Sequence, residues 1–332
     1  MRDNSQRHNP HHRPSLSDPD VRRLAAEIAP GSAAVDLGGT MSLNVGLQSA
    51  GLVLRVHRPF VSRPRLIALQ HVRQGLAERG LIVPVPVPWR GATVFRCASR
   101  WAELETYVPG ERPEPLAESY TWMFRAMGAL HRTLATLHLT VPRPVVATYG
   151  PPSTLLRWLP VTESAIRGDP DASGTARRLR ELIRRLRSQW VTAAELPVQL
   201  IHGDVRLGNV RRTPEGETVY LDFGFLAHRP RIHELAYSLA WMVLRPDSRG
   251  TAEGFAWETV PQLVRAYEDT AQTALTAGER RALAPHVAAV PLYLAALAGF
   301  VSDPVAHLRN EARLAFLRIG EWILAHPDAV LG

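Results

Sequence analysis

The sequence predicts an α+β fold, β-rich toward the N-terminus and mainly helical beyond. Three observations carry that expectation. Between residues 33 and 107 the apolar residues fall in short runs with β-forming character, punctuated by Gly and Pro. Beyond Pro115 they recur at helical spacing, as in Met123, Met127, Leu130 and Leu134. Between the two regimes a strand runs into Val108-Pro109-Gly110, a natural crossover. On this reading residues 1–20 are a disordered tail, 21–108 an N-terminal lobe and 109–332 a helical C-terminal lobe.

At 332 residues and 45% hydrophobic content the chain can bury a sizeable core. The polar N-terminus carries His8, His11 and His12 but no apolar signal region, so no secretory leader is expected. The single Cys97 excludes an intramolecular disulfide and a cysteine metal cluster, which suits a cytoplasmic protein. The longest apolar candidate, 287–301, is shorter than the roughly 20 residues of a membrane span and contains Pro291, so no membrane partner is expected. All 39 residues of the Lys+Arg count are arginine. Any cationic role therefore falls to a guanidinium, which grips phosphate bidentately but is never a neutral base or nucleophile. The formal charge of +8 favours a neutral or anionic partner over a polycation.

In chain order, residues 21–28 read as a short helix closed by Pro30-Gly31. A strand at 33–37 leads into Gly38-Gly39-Thr40-Met41-Ser42. That stretch is either a plain turn or one whose amides and hydroxyls approach a phosphate, with Gly39, Thr40 and Ser42 as the contacts. Residues 51–58 alternate as the next strand and embed Arg55 among aliphatics; an arginine there either has an anionic partner or faces solvent. Residues 64–79 form a helix with Leu66, Leu69, Val72 and Leu76 on one stripe, and strands follow at 93–97 and 101–107. A helix at 115–137 and a proline-rich connection at 141–152 come next. The helix at 175–190 carries six arginines without aromatic interleaving, so a nucleic-acid partner is not expected. After the central stretch, helices are expected from about 232, at 253–274, 277–299 and 303–326, the third broken or kinked at Pro285 and Pro291. Thr276 and Glu279 form its capping box.

The central stretch, LIHGDVRLGNVRRTPEGETVYLDFGF from Leu200 to Phe225, holds the chemistry. Apolar runs at 198–201 and 218–221 deliver Asp204 and Asp222, with Asn209 five residues after the first and thirteen before the second. Pro214-Glu215-Gly216 supplies a turn expected to bring both carboxylates and the carboxamide to one rim of a small sheet. Such oxygen donors suit Mg²⁺ shared with substrate phosphates, and the pattern points to phosphoryl transfer.

The His-Gly-Asp spelling, Asn at +5 and the later Asp-Phe-Gly resemble the aminoglycoside phosphotransferase and choline kinase-like superfamily of small-molecule kinases, over about 33–313. The resemblance implies a protein-kinase-like two-lobed fold and transfer from ATP or GTP, with Mg²⁺, to a hydroxyl of a small metabolite or antibiotic. It implies Asp204 as the base and Asn209 and Asp222 as metal ligands. It also implies Arg55 on the nucleotide phosphates, with Arg58 as second candidate, and adenine at backbone groups near Glu105 and Tyr107. Three departures stand out. The helix after Arg55 has Leu69 or Gln70 where the family has a glutamate; Arg206 replaces a histidine, and either reaches the transferring phosphate or lies on the surface; Glu234 replaces an aspartate and is expected to brace the loop. The missing glutamate motivates an alternative, a non-catalytic nucleotide-binding regulator on the same scaffold.

Overall fold

The computed structural model describes residues 13–244 and 251–331. Of the expected tail, the part up to position 12, histidines included, lies outside the described residues. From Arg13 onward the tail reading is corrected: Arg13 donates to Asp36 Oδ2 at 2.8 Å and to the Gly38 and Ser42 carbonyls at 3.1 Å. The chain divides into two compact units, neither continuous in sequence. The first holds the described residues up to Pro113 with Thr133–Val146 and Gly208–Ala227; the second holds Glu114–Arg132, Ala147–Leu207 and the chain from His228. A single cut at 108 therefore misses two returns of the chain.

In the first unit, α1 (Pro19–Ile28) is capped by Asp18, whose carboxylate accepts from Asp20 N. A six-stranded antiparallel sheet follows: β1 (Ala34–Asp36), β2 (Ser42–Leu47), β3 (Leu52–His57), β4 (Pro86–Val87), β5 (Val94–Cys97) and β6 (Arg100–Thr106). Its order is β1-β2-β3-β6-β4, with β5 also on β6. Alternation along the strands separates two faces. Leu43, Val45, Leu47, Leu54, Val56, Ala102 and Leu104 form one core cluster with α1. The registers Asn44↔Arg55↔Glu103, Ser42↔His57 and Val53↔Glu105 line the other face with polar and charged groups. The α2 helix (Arg63–Ala77) contributes the buried partners Gln70 and Arg73 to those groups. Cys97 is buried, which pushes its thiol up to about 11 and leaves it inert.

A hairpin of β8 (Val210–Arg212) and β9 (Thr218–Tyr220) completes this unit. It is tied in by Tyr220 N–H to the Ile82 carbonyl, 3.0 Å, and by paired backbone bonds between Glu111 and Arg212.

The second unit is mainly helical: α3 (Ala117–Ala135), α4 (Pro152–Ala165), α5 (Pro170–Gln189), α6 (Ile232–Val243), α7 (Val260–Ala271), α8 (Ala277–Ala296), α9 (Pro304–Arg309) and α10 (Glu311–Ala325). A short pair, β7 (Val198–Ile201) with β10 (Ala227–Pro230), lies beside them. The expected single rim is thus corrected. The strand before Asp204 pairs with β10 and the strand before Asp222 pairs with β8, because the Pro-Glu-Gly turn closes onto 210–212. Of the break or kink expected in α8, the break is corrected. The helix runs through Pro285 and Pro291, since packing against α10, α6 and α5 outweighs the lost backbone bonds. With its 3-10 extension, Ala277–Phe300 is long and apolar enough by composition to cross a membrane, against the shorter run expected, and 78% of its most apolar window is buried inside the protein. The capping box forms as expected, Thr276 Oγ1 accepting from Glu279 N and Glu279 Oε2 from Thr276 N.

Candidate active site

The first unit builds a buried array of alternating charge. Arg55 Nη2 donates to Asp222 Oδ1 at 3.0 Å, and its Nη1 stands 3.7 Å from Glu105 Oε1. Arg73 Nη2 donates to Glu103 Oε2 at 2.5 Å, and its Nη1 to Glu105 Oε2. Gln70 Nε2 donates to Glu103 Oε2 at 2.8 Å. His57 Nε2 lies 3.1 Å from Glu103 Oε1 and its Nδ1 3.1 Å from Ser42 Oγ. A carboxylate only accepts, so Nε2 carries a proton toward Glu103 while Nδ1 faces the Ser42 hydroxyl. Burial alone would raise the Glu103 pKa; the Arg73 guanidinium and the His57 ring override it and hold the carboxyl far below the usual range. Burial likewise works against the charge on Arg55, and the carboxylates of Glu105, Asp222 and Glu103 outweigh it. Arg55 is thereby fixed as a permanent cation.

Asp222 follows β9 in the left-handed region, φ 60°, a conformation Asp tolerates better than most residues. A Cβ on Gly224 would stand 3.3 Å from Asp222 Oδ1, so the glycine leaves that oxygen room. Arg65 of α2 fixes the same turn, donating from Nη2 to the carbonyls of Gly224 at 2.7 Å and Leu226 at 3.0 Å. Asn209 continues the β8–β9 ladder, its carbonyl accepting from Leu221 N at 2.8 Å, which sets it beside Asp222 at the end of the hairpin. A carboxylate and a carboxamide at one hairpin end are the hard oxygen donors that Mg²⁺ takes while keeping its remaining positions for phosphate and water, so the residues fit the metal.

The Gly38–Gly39 turn is left-handed at both residues, φ 87° and 104°. A Cβ on Gly39 would fall 2.7 Å from Asn44 Nδ2, and that amide donates to the Gly38 carbonyl at 2.9 Å. Thr40 is anchored by its carbonyl, which accepts from Arg58 at 2.7 Å. Three expected contacts take other roles. The Ser42 hydroxyl is turned to His57; the Glu105 side chain joins the ion-pair array while its backbone pairs with Val53 and Pro86; the Tyr107 amide donates to the Gly51 carbonyl at 2.8 Å. A cavity opens among Ser42, Arg55, His57, Arg73 and Asp222.

The second unit carries the base candidate. Asp204 leaves β7 through Gly203, φ 83°, and is buried to 2% exposure. Its Oδ1 accepts from the Tyr237 hydroxyl at 2.6 Å and lies 3.1 Å from Arg206 Nε. Arg206 stands 5.7 Å from the Trp241 ring centroid. Burial first, then the Asp204 charge, push the Tyr237 hydroxyl far above its ordinary pKa, so it is a pure donor here. Glu234 braces the loop as expected, accepting from His202 N at 2.8 Å and Val205 N at 3.0 Å. Burial opposes its charge, but the His131 hydrogen bond keeps its carboxyl below the usual range. His131 is a satisfied core residue between Glu234 and Tyr267, and His202 Nδ1 accepts from Asp204 N at 3.3 Å.

Sequence reasoning missed Arg65, Arg73, Glu103 and Tyr237. A signal existed for Glu103: with Glu105 it alternates onto one face of its strand, and two acids so placed demand cations opposite.

The sequence profile of the phosphotransferase enzyme family, APH, matches residues 38–271. The chain belongs to that family. As a member of it, this chain is a phosphotransferase. Solved structures of the same protein-kinase-like fold include the microcompartment-associated aminopropanol kinase, TM-score 0.69 at 17% identity over 95% of this chain and 99% of that one. Amicoumacin kinase hAmiN, in complex with AMP-PNP, Ca²⁺ and Ami, gives 0.66 at 15% identity over 93% of each chain. A choline/ethanolamine kinase family protein from Mesorhizobium loti gives 0.60 at 16% identity over 94% of this chain and all of that one.

Proposed function

We propose that this phosphotransferase moves the terminal phosphoryl group of ATP, in line, onto a hydroxyl of a small neutral or anionic molecule in the cytoplasm. The observation that carries this is the hydrogen-bonded, buried carboxylate of Asp204 on the same short stretch of chain as Asn209 and Asp222. Asp204 orients the acceptor hydroxyl and takes its proton, a role worth on the order of 10²–10⁴ in rate. Asn209 and Asp222 would hold Mg²⁺, which would supply positive charge against the developing charge on the phosphates. Arg55 holds the phosphate oxygens, and the amides of the Gly38–Thr40 turn approach them. The amicoumacin kinase complex with AMP-PNP and Ca²⁺ supports the pairing of nucleotide and divalent cation in this fold. The non-catalytic reading is weakened on the missing helix glutamate, because Arg55 has a buried acidic partner in the strand-borne Glu105; the arginine at the third-strand position, its other motive, stands.

The test is ATP consumption over a panel of hydroxyl metabolites and antibiotics, repeated with Asp204→Asn. Turnover by the native enzyme and a loss of at least a hundredfold in the folded variant are expected. Near-native turnover in the variant overturns the assignment.

A further inference from the structure

We propose that Arg73 is a positioning residue for the nucleotide phosphates, acting on Arg55 through Glu105, so that helix α2 supplies the cation and strand β6 the acid of the clamp. This rests on the reading of Arg55 as a phosphate contact and goes further, naming what sets that contact.

Glu103 and Glu105, two apart on β6, project from one face of the sheet, and both are buried. Two buried carboxylates so placed repel each other and would each draw the nearest cation inward. Arg73, 2% exposed, resolves this by giving one Nη to each, bridging Oε2 of Glu103 and Oε2 of Glu105. Glu105 is left to present Oε1 to Arg55, at a 3.7 Å separation that is electrostatic contact rather than a hydrogen bond. Arg55 completes the series on Asp222. The signs alternate along Arg73, Glu105, Arg55 and Asp222, and each member fixes the next. The array of Arg55, Arg73, Glu103, Glu105 and Asp222 carries one net negative charge when His57 is neutral. Without Arg73 it carries two, and Arg55 would be captured by Glu103 and Glu105 instead of facing phosphate. The same helix holds the Asp222 turn through Arg65, so a displacement of α2 would move Arg55 and Asp222 together.

Truncating Arg73 outright would strand two buried acids and endanger folding. Arg73→Lys keeps the charge but cannot bridge both carboxylates, and Glu105→Gln is nearly isosteric. The experiment is calorimetric titration of the full chain with AMP-PNP and Mg²⁺, after thermal melts confirm folding, in the native protein, Arg55→Leu, Arg73→Lys, Glu105→Gln and the two doubles with Arg55→Leu. Arg73→Lys and Glu105→Gln should each weaken binding about tenfold, and neither should weaken it further once Arg55 is leucine. Native affinity in the folded single variants overturns the proposal, as does a full additional loss in the doubles, which would mean independent action. If Arg55→Leu alone binds as the native protein does, the phosphate role of Arg55 fails and the relay with it. If the native protein binds no AMP-PNP, the proposed function itself fails.

Discussion

One oxygen of Asp204 takes both the Tyr237 hydroxyl and the Arg206 guanidinium, so the carboxylate is held in one orientation. Tyr237→Phe removes a charge-assisted hydrogen bond, worth roughly 1.5–3 kcal/mol. With Asp204 as the proposed base, that bond orients the base rather than the nucleotide, so kcat should fall about tenfold or more while the affinity for AMP-PNP stays native. Steady-state kinetics beside calorimetry check it, and an equal loss in both would reassign Tyr237 to general stability. Asp222 allows a second contrast. Its left-handed backbone costs an alanine roughly 1–2 kcal/mol that a glycine does not pay. Asp222→Ala and Asp222→Gly should both lose Mg²⁺-dependent nucleotide binding, with the glycine variant melting a few degrees higher. Asp204, Asn209 and Asp222 could be singled out as candidates because the spacings that join them are short and local. Tyr237 and Arg73 were not, because each meets its partner only after α6 or α2 docks.

The same division holds among the elements. Helix α2, the β3 strand and the capping box of α8 could be read from period and caps, since those signals are local. The pairing of β7 with β10 could not, because the turn at 214–216 names the hairpin it closes and not the partner of the strand before it. Helix α4 begins at Pro152, where a proline-rich stretch suggested only a connection, although proline is well suited to the first helical turn. Helices α6 and α8 also bury a feature with no sequence signature. His286 stacks on Trp190 with centroids 3.9 Å apart, and His233 lies 3.6 Å from Tyr149. Burial lowers His286 to about 4 and, with the Arg229 charge adding to it, His233 well below its ordinary value. Below pH 6.5 the unfolded chain therefore binds protons that the folded chain refuses. Stability is full above that pH and is lost as pH falls toward 4, by about 3 kcal/mol for His286 alone. Urea unfolding across this window should show that slope, and His286→Phe should flatten it.

At the scale of the whole molecule the decisive property is a cationic charge carried by arginine alone. With 39 arginines, no lysine and 31 acids, the chain carries +8 at pH 7 and stays cationic up to its pI near 10.4. Two of α5's six arginines are matched, Arg178 to Glu321 and Arg180 to Glu163, so composition alone does not mark that helix as a nucleic-acid surface. The unmatched remainder acts at long range, attracting anions at low salt and fading within a Debye length of about 8 Å at physiological ionic strength. This separates the acceptor classes in one experiment. With nucleotide saturating, kcat/KM for an anionic acceptor should fall several-fold between roughly 20 and 200 mM salt. For a neutral acceptor it should stay level, and for a polycationic aminoglycoside it should rise as repulsion is screened. A fall with salt for the aminoglycoside would mean that a local acidic pocket overrides the global field, and would overturn the preference for neutral or anionic acceptors.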